Sequence, residues 1–382
     1  MTDGVRRPIR VVQSVLDLEA GGLERIVADL VRHLDPARFE LHVLALRFLG
    51  RHAEGLERFA TLHVAPPLPR WTMLWPRPIE IMLRRIAPDV VHSHSGAWYK
   101  TALAADRAGV GGIVHTEHGR PEHDPWSGRA IEYVASRRTT ALVAVSRNLG
   151  ELMARSISTR CRIEVIPNGV DCEVFTPGRP STAWRERLEL SPTTPVIGCI
   201  ARLDPIKDFP MLIEALALLR RDWPAGESPV LVLAGDGPER ERIMALAERW
   251  RLVDAVHLVG WVGETVGLYP LFDVFTLSSR SEGTSVALLE AMSCGVCPVV
   301  TAVGGNPAVL GPELRAMLVP SGAAAQLADR WRGVLLDHPA RRRLADIARE
   351  RVIAEFSLAS MVERHASLYA ALSSGASAPA SR

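Results

Sequence analysis

The chain is 382 residues long, 47% hydrophobic and 23% charged, with a net charge of +2. That length and apolar content support two domains with sizeable cores, and the near balance of charge gives no basis for nucleic-acid binding. Five cysteines, sparse and odd in number, fit reduced thiols better than a disulfide framework.

The opening segment MTDGVRRPIRVVQSV passes from a basic patch straight into a strand-like run, with no signal-peptide pattern. No apolar stretch further on is long enough to cross a bilayer, so a cytoplasmic location is expected. IRVVQSV, from Ile9, precedes a segment in which Leu23, Ile26, Val27 and Leu30 share one helical face. Gly21 and Gly22 stand just before that helix, where the backbone can approach a ligand closely, although a diglycine turn is by itself a common structural feature. DVVHSH, GIVHTE and ALVAVS repeat the plan of a short β-branched run followed by helix-period sequence. Ahead of DVVHSH lies PRWTMLWPRPIEIMLRRIAPDV, from Pro69. Ile79, Met82, Leu83 and Ile86 have helical core spacing there, while Trp71 and Trp75 with Arg70, Arg77, Arg84 and Arg85 form a basic, aromatic surface. Packing is one reading of that segment; contact with a membrane surface or a lipid-linked acceptor is the other.

The strand ends carry the polar chemistry. His92 and His94 close one strand, and His115, Glu117, His118 and His123 follow another in GIVHTEHGRPEHDPW. Imidazoles at a strand end serve in catalysis, bind a hydroxyl or hold a metal. Zinc is an open alternative, with the Gly119-Arg120-Pro121 turn arguing against regular ligand spacing.

FTPGRPST, from Phe175, interrupts the alternation, and the joint between two Rossmann-like halves is expected near Pro177 to Pro180. Beyond it VIGCIARL, VLVLAGDG, AVHLVGW, DVFTLSS and CPVVTA again alternate with helices, giving an α/β doubly wound pattern. The expected domains are residues 1–178 and 179–356, with a helix at about 357–372 packing back on the first and a disordered tail at 373–382. In such sheets ligands bind beyond the carboxyl ends of the strands, so a cleft between the domains is the expected site.

In ARLDPIKDF, Arg202 and Lys207 follow a strand and offer two cations to a diphosphate; the bland reading is a solvated loop. AGDGPERERI contains a tight glycine turn at Gly235 and a helix begun by a proline, with a structural role foremost. RSEGTSVALLEAMSCG places Glu282 before a helix capped by Thr284 or Ser285, and Glu290 inside it. The free N–H groups of such a helix start attract phosphate, while carboxylates repel it. Each acid is therefore suited to neutral hydroxyls flanking a diphosphate, the bland reading being two solvated glutamates that favour the helix dipole. Cys294 and Cys297 form C-x-x-C, with no second pair and apolar surroundings, so buried packing is expected.

In this order and spacing these motifs resemble those of retaining glycosyltransferases of family 4, which have the GT-B fold. SEGTSVALLEAMSCG is similar to the family's pair of glutamates eight residues apart, ARLDPIKD to its phosphate loop, IPNGVD to the segment before the interdomain linker, and HTEHG to the loop carrying an active-site histidine. The resemblance implies that Glu282 contacts the donor sugar and Glu290 the ribose, and that Arg202 and Lys207 hold the diphosphate. It further implies that backbone groups at Gly22 and at Gly283, Thr284 and Ser285 assist them. Val262, in VGWV, falls where the base binds, Gly21 and Gly235 complete the donor set, and His118 is the matching histidine. His94, His115, Glu117, Trp71 and Trp75 are acceptor-side candidates. Ser285, Cys297 and Ala308 depart from the family pattern, which bears on donor preference. The implied activity is transfer of a sugar from a UDP- or GDP-linked donor to a hydroxyl acceptor in polysaccharide or glycolipid assembly. It proceeds with no metal and no cofactor, in the cytoplasm or peripherally at the inner face of the membrane. A nucleotide-sugar epimerase on the same architecture and a non-catalytic binder are the competing readings.

Overall fold

A computed structural model describes residues 7–19, 21–119, 126–157, 161–179, 181–224 and 226–374. Of the expected tail at 373–382, Ser373 closes the last helix and residues 375–382 lie outside the described residues, as do His123 and the Arg120-Pro121 turn.

The chain divides into two compact units, Met1–Asn168 with Ala359–Arg382, and Gly169–Leu358. In the first, seven parallel strands are β1 (Ile9–Val15), β2 (Phe39–Ala45), β3 (Thr61–Val64), β4 (Val90–His94), β5 (Gly112–Glu117), β6 (Ala141–Ala144) and β7 (Arg162–Val165). They lie in the order β3-β2-β1-β4-β5-β6-β7. The connecting helices are α1 (Gly22–His33), α2 (Arg77–Ile86), α3 (Trp98–Ala108), α4 (Trp126–Ser136) and α5 (Arg147–Ser156). β4 and β5 are buried along their whole length, as strands covered on both faces by helices must be. In α2, Ile79, Leu83 and Ile86 are the buried stripe that its spacing predicts.

The second unit begins with α6 (Thr182–Arg187) and a six-stranded parallel sheet. Its strands are β8 (Val196–Ile200), β9 (Val230–Ala234), β10 (Val256–Gly260), β11 (Val274–Leu277), β12 (Cys297–Thr301) and β13 (Leu318–Val319), in the order β10-β9-β8-β11-β12-β13. The helices are α7 (Phe209–Arg221), α8 (Arg240–Arg249), α9 (Val286–Ser293), α10 (Asn306–Leu310), α11 (Ala324–Leu336) and α12 (His338–Glu355). α8 starts at Arg240, two residues after Pro238, so the proline belongs to the preceding turn and does not open the helix.

The division at Asn168/Gly169 replaces the expected joint at Gly178. The reason is hydrogen bonding that local sequence does not show. Val170 N–H donates to the Phe356 carbonyl and Leu358 N–H to that of Val170, both at 2.9 Å, and buried Phe175 meets Tyr269 edge to face. The proline-rich stretch therefore runs along the second unit. The last helix, α13 (Leu358–Ser373), belongs from Ala359 onward to the first unit, where Tyr369 is fully buried and edges onto Phe39.

Candidate functional site

In the second unit the strand order reverses between β8 and β11, and the loops leaving these neighbours open together at the carboxyl end of the sheet. They are stitched to one another: Ser278 Oγ–H donates to the Lys207 carbonyl at 2.6 Å, and Arg280 N–H to that of Ile206 at 2.8 Å. This brings Lys207 onto Glu282, Nζ to Oε1 2.7 Å, and Ser279 Oγ–H donates to the same oxygen at 2.5 Å. Both side chains are largely buried, Lys207 20% and Glu282 8% exposed. A cation and an acid assigned to different parts of a ligand are thus bonded to each other. Arg202 is 66% exposed and paired with Asp204 at 2.7 Å. Arg280 pairs with Asp208 at 3.0 Å, on a residue held at φ 50°.

Two glycines hold these loops. Gly304, at φ +52°, passes so close beneath Glu282 that a Cβ would collide with its carbonyl oxygen, and Gly305 N–H donates to the Gly283 carbonyl at 2.9 Å. Gly235, at φ +137°, lies in the same way against the Ala201 carbonyl, so it supports the Arg202 loop through packing.

Ser285 caps α9, accepting from Leu288 N–H, and the helix is buried from Leu288 to Ser293. Glu290, 5% exposed, takes Tyr269 Oη–H at 2.5 Å and Thr265 Oγ1–H at 3.2 Å on one carboxylate oxygen. Burial and the Glu290 charge push the Tyr269 phenol well up, so it stays a donor. Val262 is half-buried just beyond β10. Cys294 and Cys297 are free and buried, and burial pushes both thiols up to about 12, so neither is a ready thiolate.

In the first unit the order reverses between β1 and β4. Here β1, β4, β5 and α13 assemble a histidine cluster. His118 Nε2 lies 3.0 Å from His94 Nδ1, and His94 Nε2 lies 2.9 Å from Gln13 Oε1. Gln13 Nε2–H donates to Tyr369 Oη at 3.0 Å, which is 2.6 Å from His92 Nδ1; His92 Nε2 meets Thr116 Oγ1 at 2.7 Å. His115 is wholly buried, stacked on Trp98 with centroids 4.2 Å apart. Glu117 Oε1 accepts from the backbone N–H groups of His118 and Gly119 at 3.0 and 3.3 Å. Burial alone would raise the Glu117 carboxyl, but His115, the Gly119 N–H and His118 outweigh it and hold it below the usual range. Desolvation drives His94 and His92 well down and His118 to about 3, so these rings are neutral. Among the described residues no three His, Cys, Asp or Glu side chains are grouped so that they could hold a metal ion. Gly21 caps α1 by position only, with no side-chain bond, and Gly22 is its first residue.

Also in this unit, a pocket of about 680 Å³ is walled by Leu16, Leu46, Leu68 and Met73, with Arg47 and Lys100 at its lining. Nearby in sequence, Trp71, Leu74 and Trp75 are 53%, 80% and 45% exposed, and Arg77 lies over the Trp75 ring at 5.1 Å. Among the described residues no helix is long and apolar enough to cross a membrane.

Residues 180–351 match the family model for glycosyl transferases group 1, and residues 20–174 that for glycosyltransferase family 4. The GDP-mannose-dependent alpha-(1-6)-phosphatidylinositol monomannoside mannosyltransferase of Mycolicibacterium smegmatis is 30% identical over 311 residues, 75% of this chain and 77% of that one. The chain belongs to glycosyltransferase family 4. A further relative of this glycosyltransferase, the D-inositol 3-phosphate glycosyltransferase of Corynebacterium jeikeium, is 29% identical over 64% of this chain; the match spans 61% of that relative's own length. In fold it is similar to Anabaena HepE in complex with UDP and glucose, with a TM-score of 0.82 at 21% identity over 95% of this chain and 100% of that one. Its architecture is GT-B.

Several members of the glycosyltransferase's polar clusters escape sequence reasoning. Gln13 sits inside a strand, Tyr269 and Thr265 in a connection, and Tyr369 in the final helix; nothing local marks them. Ser279 is the exception, three residues before Glu282 in the same loop.

Proposed function

We propose that this glycosyltransferase moves a sugar from a nucleoside diphosphate donor, UDP- or GDP-linked, to a hydroxyl acceptor, with retention of anomeric configuration and without a metal. The observation that carries this reading is the Lys207–Glu282 pair at the reversal point of the second sheet, beside the start of α9. Lys207 carries three N–H donors, so Nζ holds the Glu282 carboxylate and a phosphate oxygen together. Arg202 adds a planar fork, and the N–H groups around Gly283, Thr284 and Ser285 add the helix-start field. These fixed charges offset the negative charge that grows as the diphosphate leaves, the task a metal performs elsewhere. Glu282, steadied by Lys207 and Ser279, receives the sugar hydroxyls, and Glu290 on its Tyr269 and Thr265 donors receives the ribose. Val262 borders the base, and Gly21 and Gly22 allow close backbone approach. The acceptor oxygen adds to the anomeric carbon on the face from which the diphosphate departs, and its proton passes to the leaving phosphate oxygen.

Acceptor binding falls to the first unit, with His118 and Glu117 as the residues that meet the acceptor and buried His94 and His115 supporting their loop. A pocket lined by leucines together with Arg47 and Lys100 suits an acceptor with both an apolar part and an anionic group, in keeping with glycolipid assembly. Relatives named for phosphatidylinositol mannoside and inositol phosphate acceptors support this choice. Trp71, Leu74 and Trp75 then touch the inner face of the membrane. The test is thermal shift against UDP- and GDP-sugars with and without EDTA, followed by product analysis with and without acceptor. Stabilisation by one donor that survives EDTA, with a product of the same anomeric configuration as the donor, is expected. No stabilisation by any donor, strict dependence on a divalent cation, or acceptor-free isomerisation of the donor sugar sinks the reading.

A further inference from the structure

Four side chains from four elements form one continuous hydrogen-bonded chain: Tyr369 on α13, Gln13 on β1, His94 on β4 and His118 just after β5. Each ring nitrogen and amide atom in it is either a donor or an acceptor, so fixing one end fixes the other. Gln13 presents Oε1 to His94, hence His94 carries its hydrogen on Nε2. A neutral His94 then has a bare Nδ1, and His118 must supply the hydrogen of the 3.0 Å contact from its own Nε2. His118 Nδ1 is left as a lone pair. Nδ1 is shielded from water and has no hydrogen-bond partner among the described residues. The reversed chain would place an N–H there instead, and a buried donor without an acceptor is the costlier defect.

The contacts at the other end fit the same direction. Its Nε2–H donates to Tyr369 Oη, whose own hydrogen goes to His92 Nδ1 at 2.6 Å, while His92 Nε2–H is received by Thr116 Oγ1. Gln13 and Tyr369 are fully buried, so water offers neither an alternative partner. Desolvation keeps all three rings neutral, which the relay requires, since a second proton on His94 would make its Nδ1 a donor and reverse the contact with His118.

We propose that Gln13 and Tyr369 are positioning residues that set the tautomer of His118, holding hydrogen on Nε2 and leaving Nδ1 as an acceptor for a hydroxyl of the bound sugar or acceptor. The last clause rests on the role given to His118 under Proposed function; the tautomer itself does not. The C-terminal helix thereby has a chemical task, delivered through one phenol.

The experiment uses the full chain labelled with ¹⁵N-histidine, with Tyr369→Phe and Gln13→Met as variants and His118→Ala to assign the resonance. Two-bond ¹H–¹⁵N spectra near neutral pH read which ring nitrogen bears hydrogen, and the same samples give kcat and donor KM. Wild-type His118 is expected as the Nε2–H form, and each variant as a mixture of both tautomers. A kcat lowered roughly tenfold to a hundredfold with donor KM unchanged is expected alongside. Tyr369→Phe removes one oxygen and Gln13→Met keeps the chain volume, so at least one retains the fold, checked by thermal melting. A wild-type ring with hydrogen on Nδ1, or folded variants whose tautomer does not move, overturns the proposal whatever the activity does. A moved tautomer with unchanged kcat upholds the relay and counts against the role of His118 in transfer.

Discussion

The two polar clusters of this glycosyltransferase solve burial in opposite ways. In the second unit Lys207 and Glu282, largely buried at one sheet end, form an ion pair supported by Ser279, so opposite charges face each other in a rigid frame. In the first unit His92, His94, His115 and His118 are enclosed, and desolvation together with mutual hydrogen bonds keeps the three rings of the relay neutral. A charged cluster suits the growing charge of a departing diphosphate. The neutral one suits recognition of hydroxyls, where direction of the hydrogen bond matters and net charge does not.

That contrast predicts unequal losses. The largest is expected at the charged cluster: Arg202→Ala or Lys207→Ala lowers kcat by about a hundredfold or more, the scale for a donor facing developing oxyanion charge. Steady-state assays at saturating donor check it, and a double variant with unchanged turnover breaks the comparison. Lys207→Ala also strands the Glu282 carboxylate, so its melting temperature is to be measured alongside.

A smaller effect is expected at Glu290→Gln, which removes the charge behind the bonds from Tyr269 and Thr265. Donor KM rises about tenfold with little change in kcat, the size of one charge-assisted hydrogen bond. A fall confined to kcat places Glu290 in the chemical step and overturns its ribose role.

The neutral cluster is expected to show itself in acid. His118 falls to about 3 and His365, buried with its Nδ1 near the Met361 carbonyl, to about 4, both by desolvation from an ordinary 6.5. Between those values the unfolded chain binds protons that the folded one refuses. Stability therefore climbs as pH rises from about 4 to 6.5 and levels off above, by at most about 1.4 kcal/mol per pH unit for each histidine. Urea midpoints across that window test it. His365→Gln lowers the slope by close to one proton, and an unaltered slope contradicts the neutral-cluster account. The smallest effect on the molecule itself is at Trp71→Ala with Trp75→Ala. Stability changes by under about 0.5 kcal/mol per substitution, while sedimentation with anionic vesicles drops severalfold. Equal sedimentation of variant and parent removes the membrane contact.

Much of the framework is legible along the chain because parallel strands and amphipathic helices write their burial into local periodicity. The runs from Ile9, Asp89, Gly112 and Val196 became β1, β4, β5 and β8, and Ser285 became the cap of α9. The loop at Arg202 and Lys207 was identifiable because it follows a strand. The contact division falls at Asn168/Gly169, ahead of the Pro177 to Pro180 stretch, since prolines announce a turn and say nothing about which core the turn lies on; Phe175 and the Val170 bonds decide that.

The sequence by itself determined the two α/β halves, the strand-end location of the acids, cations and histidines, and the family to which they belong. Only the tertiary structure decided who bonds to whom. Lys207 and Glu282 are 75 residues apart, and Gln13 and Tyr369 are 356 apart. Local pattern fixes which face a side chain presents, because helix and strand periods are properties of neighbouring residues. Partner choice across such distances is set by the order in which strands enter the sheet, which no window of sequence contains.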